Sequence, residues 1–275
     1  MLVYLSVISS LAINIARKLR TSIISADSRK VYKDLTIGTH KDELLKAYNI
    51  PEIEKIYGIN LISPKERFSA HDFIDYVNPI CEKIHSNGKI PVIVGGTVMY
   101  ITALIKNYTL RETKPNIKLR QKLEDMTLHS LQDLLQSLNF NAWNNLNESE
   151  RKNKRRLIRW IEIVKENKNE LPKEKVENKS NYDILPIKLT QTVNKLRELL
   201  PKRVDKMIQS GLVEETEQLL KKYSKDDIGM KTMGYLEAIE YLDDEITLEE
   251  MKEKIVRRHI KYAKYQLRWI KKYLP

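Results

Sequence analysis

A short apolar stretch, Ile23-Ile24-Ser25, runs directly into Ala26-Asp27-Ser28-Arg29-Lys30-Val31-Tyr32, a loop that crowds one carboxylate among hydroxyls and cations. A carboxylate delivered by the end of a strand can act as a general base on an amine or hydroxyl nucleophile within hydrogen-bond reach. The alternative is a salt bridge from Asp27 to Arg29 or Lys30, although polar density of this kind after a strand is costly unless solvated or functional. Further along, Ile90-Pro91-Val92-Ile93-Val94 leads into Gly95-Gly96-Thr97. This repeats the layout: a β-branched strand, two glycines that permit close backbone approach, and a hydroxyl that opens a helix. Thr97 reads as a site residue, as the N-cap of that helix, or as both. Ligands of open α/β sheets bind beyond the carboxyl ends of the strands, so Asp27 and Thr97 are expected across one crevice.

Alternating elements must hold these two loops. Leu2–Val7 and Ser22–Ser25 read as strands and Ser10–Leu19 as a helix; Ser69–Ser86 is a helix stopped by Asn87-Gly88, Ile90–Val94 a strand and Val98–Ile105 a helix. Parallel strands with crossover helices follow, an α/β class of fold. From about 110 to 180 the apolar spacing turns helical throughout, as in Leu131-x2-Leu134-Leu135 and Leu157-Ile158-x2-Ile161, which predicts a helical insertion. Lys165–Tyr182 is polar, contains Pro172, and reads as a loop or hairpin. A strand at Ile184–Leu189 is then expected to return to the sheet, followed by helices over about 192–210, 212–223 and 247–273.

The 275 residues carry a net charge of +12, and 41% are hydrophobic, enough for a core without staples. A pI near 9.4 suits a chain that holds a polyanion, nucleic acid first, with a lysine-rich surface of biased composition as the alternative. Positive charge gathers in Arg151–Arg159 and Arg257–Lys272. On a helix, Arg155 and Arg159 share a face at i, i+4 beside Arg156, a row that can grip a phosphate backbone or form a solvated basic face. Tyr262, Tyr265 and Trp269 interleave the last basic stretch at helical spacing, which favours packing over base stacking. The single cysteine, Cys81, excludes an intramolecular disulfide and reads as a buried residue of a reduced compartment. Five histidines without metal-ligand spacing argue against zinc. The apolar start reads as strand then helix rather than a signal peptide, and no apolar run approaches the roughly 20 residues of a membrane span.

A strand, turn and helix at the N-terminus form the usual setting of a P-loop. Yet Leu2 to Ser10 contains neither glycine nor lysine. Ser9 remains there as a candidate phosphate or metal-water ligand, with an ordinary N-cap as the alternative.

Several blocks in order resemble one family, the tRNA dimethylallyltransferases: ISADSRKVY with IGTHK, SPKERFSAHDF, GKIPVIVGGTVMYITALI, KRRLIRWIEI, RVDKMIQSGLVEE, MGYLEAIEYL and YAKYQLRW. The resemblance implies a P-loop NTPase-like parallel sheet flanked by helices, residues 1–110 and 183–275, with a helical tRNA-binding insertion over 111–182. It implies dimethylallyl transfer from dimethylallyl diphosphate to the exocyclic amine of a flipped adenine beside the tRNA anticodon. Carried over by position, Asp27 would be the general base and Thr97 would line the channel beside it. Ser9, Ser28, Arg29, Lys30, Gly95 and Gly96 would bind substrate. Arg120, Arg155, Arg156, Arg159, Lys231, Tyr235 and Lys264 would touch the anticodon stem-loop. Mg²⁺ would neutralise the leaving diphosphate, with no protein ligand set assigned, in a cytoplasmic monomer. The chain departs from the family pattern in its P-loop, at Lys30 where relatives carry glutamine, at Leu236 after Gly-Tyr, and at His259-Ile260. Three rivals stay open: prenylation of free adenine nucleotide, a non-catalytic RNA-binding relative, and a P-loop kinase.

Overall fold

A computed structural model describes residues 5–106, 116–168, 182–189 and 191–273, with side chains from residue 8 onward. The chain divides into two compact units, residues 1–107 with 179–275, and residues 108–178.

The first unit is built on three parallel strands, β1 (Ile23–Ser25), β2 (Ile56–Tyr57) and β3 (Val92–Val94), in the order β2-β1-β3. Ile23 pairs with Ile56 on one side and Val92 on the other, and Ser25 with Val94. Successive side chains of a strand point to opposite faces, and β1 uses both. Ile23 packs with Ala12, Ala16, Leu44 and Ile56, while Ile24 packs with Phe73, Val77, Cys81 and Tyr100. Helix α1 (Leu5–Leu19) supplies the first face through Ile8, Ala12 and Ala16, one stripe at a four-residue interval. Helix α3 (Ala70–Ser86) supplies the second. Its start is fixed by a capping box: Ser69 Oγ accepts from Asp72 N at 3.2 Å and the Asp72 carboxylate accepts from Ser69 N at 2.7 Å. The short α2 (Asp42–Lys46) follows the β1 loop, and α4 (Val98–Ile105) follows β3.

After residue 182 come α10 (Val193–Gln209), α11 (Leu212–Leu220), α12 (Tyr235–Leu242) and α13 (Leu248–Tyr273). They enclose a second core with Val31, Tyr32 and Leu35 at its edge and Tyr235 fully buried. The second unit holds α5 (Ile117–Glu124), α6 (Leu128–Leu138), α7 (Phe140–Asn144), α8 (Glu148–Arg151) and α9 (Lys154–Glu166) around Leu131, Leu135, Leu157 and Ile161.

Three expectations need correction. The strand read at Leu2–Val7 falls partly outside the described residues, and Leu5–Val7 are already helical, because the apolar stripe of α1 begins earlier than Ser10. Ile184–Leu189 forms no strand and pairs with none among the described residues; Pro186 has no N–H to donate to a ladder, and Leu185 is 87% exposed. It borders an apolar cavity of about 350 Å³ walled by α1, β3 and α4. Helix α12, announced by Gly234 at φ 95°, was not read from the sequence. The hairpin expected over 165–182 lies mostly outside the described residues. No described helix is long and apolar enough to cross a membrane.

Candidate active site

Asp27 leaves the carboxyl end of β1 half-buried and shapes its own loop. Its Oδ1 accepts from the amides of Arg29 at 2.8 Å and Lys30 at 3.4 Å, the side-chain turn typical of aspartate. Its Oδ2 takes no hydrogen bond among the described residues, which leaves one carboxylate oxygen able to accept a proton. Thr97 sits at the N-cap position of α4, but its hydroxyl does not cap that helix. It crosses to the other loop instead, accepting from Ser28 N at 2.9 Å and donating to Ser28 Oγ at 3.1 Å. The Thr97 amide donates to Ala26 O at 3.2 Å, completing the seam.

The two glycines have separate reasons. A Cβ on Gly95 would lie 2.1 Å from Ala26 O, so only glycine lets the β3 exit pass the β1 exit. Gly96 offers its carbonyl, which accepts from Gln266 Nε2 at 2.5 Å and from Tyr262 OH at 3.3 Å, both on α13. Burial, aided by the charge of Asp27, pushes the Tyr262 phenol up to about 12, so it stays a donor at neutral pH. Sequence reasoning placed Tyr262 in packing; its ring does pack, stacked on Tyr265 at 6.1 Å, but its hydroxyl belongs to the site.

Behind Asp27 lies a group of cations. Lys30, 2% exposed, donates Nζ to His40 O at 2.6 Å. Arg203 on α10 donates Nε to His40 Nε2 at 2.9 Å, and its Nη2 is buried without a hydrogen-bond partner. Burial draws Arg203 down to about 10, opposed by Glu43, Asp42 and Asp27, so the guanidinium remains charged at neutral pH. Burial also lowers Lys30, with Asp27 the largest opposing influence. Arg203 lies within the RVDKMIQSGLVEE block, where the sequence alone assigns it no role. The available signal was an arginine followed by Val204 on an apolar helix face, where a guanidinium is kept only at a cost.

Other candidates lie elsewhere. Ser9 is in the second turn of α1 and 2% exposed, enclosed by the helix that the sequence was expected to start after it. It lies inside the helix and does not cap it. Tyr235 is fully buried, donating to Glu215 Oε2 at 2.7 Å and accepting from Gly38 N at 3.0 Å; it locks the helical core and offers no surface to an RNA. Arg120 is held by the buried Glu162 through Nε at 3.1 Å and Nη2 at 2.6 Å, with Arg159 3.5 Å from the same carboxylate. Arg155 is exposed beside a shallow depression with Lys152, Asn153 and Lys154, and exposed Arg156 pairs with Glu150 at 2.5 Å. Lys231 is exposed and 3.4 Å from Asp226, and Lys264 is exposed on α13.

A family model described as IPP transferase matches residues 30–273. The chain belongs to the IPP transferase family. Members named tRNA dimethylallyltransferase include those of Halalkalibacterium halodurans, 31% identical over 94% of this chain and 83% of the relative, and Acetivibrio thermocellus, 34% identical over 96% and 85%. A crystal structure of a tRNA isopentenylpyrophosphate transferase from Bacillus halodurans superposes with a TM-score of 0.67 at 30% identity, covering 96% of this chain and 82% of that one. A eukaryotic dimethylallyltransferase acting on tRNA gives 0.75 at 28% identity, covering 95% of this chain and 66% of that one. The IPP transferase fold is therefore carried through both units, while the matched segment starts after Asp27 and leaves α1 outside it.

Proposed function

We propose that this chain transfers a dimethylallyl group from dimethylallyl diphosphate to the exocyclic amine of an adenine beside the anticodon of a tRNA. The observation that carries the reading is Asp27, tied by one oxygen to its own loop and left with the other, between the Thr97 seam and the cations Lys30 and Arg203. The amine lone pair attacks the allylic carbon, the carbon–oxygen bond to diphosphate breaks, and diphosphate leaves with the electron pair. Asp27 takes the proton the amine sheds. The unpaired Nη2 of Arg203, with Lys30 behind it, supplies positive charge where the leaving group gains negative charge. Gly95, Gly96 and Thr97 form the wall that the extruded base meets, and the exposed arginines and lysines of α9 and α13 are the proposed contacts to the RNA backbone.

Among the described residues no three His, Cys, Asp or Glu side chains are grouped to hold a metal ion. Mg²⁺ is proposed to arrive with the diphosphate, as part of the substrate, and to offset its charge as it leaves. A monomer in the cytoplasm, where tRNA is met, completes the reading.

One observation favours a second reading, a non-catalytic RNA-binding relative: α1 runs unbroken through Ser9, where the P-loop setting was expected. Incubation with tRNA, Mg²⁺ and dimethylallyl diphosphate labelled in the prenyl group separates the two. Label in tRNA supports transfer, label in free adenine nucleotide alone redirects it to a small substrate, and tRNA binding without label establishes the binding module.

A further inference from the structure

Given the diphosphate site proposed above, we propose that His40 is a positioning residue that holds the Arg203 guanidinium in place without neutralising it. His40 lies at a left-handed backbone position, φ 49°, and serves two cations at once. Its ring Nε2 accepts from Arg203 Nε at 2.9 Å and its carbonyl accepts from Lys30 Nζ at 2.6 Å. The chemistry of the ring pair fixes a protonation state. Arginine Nε–H can only donate, so His40 Nε2 carries no proton and the ring is the neutral Nδ1–H tautomer.

The surroundings enforce that state. Lys30 acts on the ring from the β1 loop, Arg203 and Lys206 from α10, and His259 from α13, while Asp42 and Glu43 of α2 act on the Arg203 guanidinium. Burial, then Arg203, His259, Lys30 and Lys206, hold His40 well below the usual histidine range.

A neutral acceptor matters because of what a carboxylate would do in its place. Glutamate or aspartate would also pin Nε, but would cancel the charge that a diphosphate must meet. Imidazole fixes the plane of the guanidinium, leaves the buried Nη2 unspent, and keeps the full cation. Such fixed donors contribute most in a water-poor site, since no reorganisation is needed as charge develops.

The test is calorimetric titration of the full chain with inorganic pyrophosphate, for wild type, His40→Ala, His40→Gln and His40→Glu. Loss of a hydrogen bond to a charged group predicts binding about tenfold to a hundredfold weaker for His40→Ala. His40→Gln, a neutral acceptor of similar reach, restores most of it, whereas His40→Glu, an acceptor with a charge, stays weak. Nitrogen-15 NMR of the wild-type histidines, independent of any variant's folding, is expected to show His40 with Nδ1 protonated and Nε2 bare. Equal pyrophosphate affinity in wild type and His40→Ala, full affinity in His40→Glu, or a protonated Nε2 overturns the inference. Wild-type protein that binds no pyrophosphate overturns the diphosphate site itself, and the inference with it.

Discussion

The Thr97 hydroxyl accepts the amide of Ser28 at 2.9 Å and donates to Ser28 Oγ at 3.1 Å, joining two strand exits 69 positions apart in the chain. This side chain thus adds to the backbone bonds that join the loop carrying Asp27 to the glycine turn after β3. Thr97→Val keeps the shape and removes both bonds, leaving a part-buried amide unpaired. We expect a loss of about 1–3 kcal/mol in urea unfolding and a slower transfer step. Thr97→Ser should recover both measurements, and a valine variant as stable as wild type would show that the seam holds nothing.

Asp27→Asn preserves the Oδ1 acceptor for Arg29 and Lys30 but cannot take a proton. Single-turnover transfer is expected to fall by about 10²–10⁴, the usual worth of a general base, with tRNA affinity retained. A parallel loss of tRNA binding would mark Asp27 as a loop-former and nothing more.

His259 is 2% exposed, its ring bonded to Ile255 O at 2.8 Å, and burial draws it down to about 4 from 6.5. Between those values the unfolded chain binds a proton that the folded chain does not. Stability therefore falls as pH drops from about 6.5 toward 4, by about 3 kcal/mol for this group. His259→Gln removes that contribution, so the gap between the urea midpoints of variant and wild type should change across pH 7 to 4.5. A gap independent of pH would place the titrating proton elsewhere.

Two arginines of the second unit should behave differently. Arg155 is exposed, so Arg155→Ala is expected to weaken tRNA binding and reduce the slope of log affinity against log salt by about 1, with no change in melting. Arg120 is bound to Glu162, whose side chain is 1% exposed, so Arg120→Ala leaves that buried carboxylate to Arg159 and the Asn116 amide and is expected to cost about 1–3 kcal/mol in stability. Equal salt slopes in Arg155→Ala and wild type would remove Arg155 from the interface.

The strands at 23–25 and 92–94, the helices between them and the Asp27 to Thr97 proximity were legible because local signals agreed. β-branched runs, glycine pairs and a Ser69 to Asp72 capping pattern all act over a few residues. Arg203, His40 and Gln266 were not legible as site residues. Each reaches its place through tertiary packing: Arg203 and His40 meet 163 positions apart, and Gln266 meets Gly96 across 170. Ser9 and Tyr235 are enclosed for a shared reason. Their neighbours in sequence are site-like, but α1 and the helical core enclose them, and burial is set by what packs around a residue rather than by what flanks it.

Helix α13 spans 26 residues, about 39 Å, and meets the Gly96 carbonyl through Tyr262 and Gln266 while Lys261, Lys264 and Arg268 remain in solvent. One residue inserted or deleted before Tyr262 would turn everything after it by about 100°, swinging the Gln266 amide away from the glycine and bringing Tyr265 or Leu267 into its place. Substitutions along this stretch keep its phase, whereas one residue gained or lost removes the clamp and turns the cationic rail in the same step.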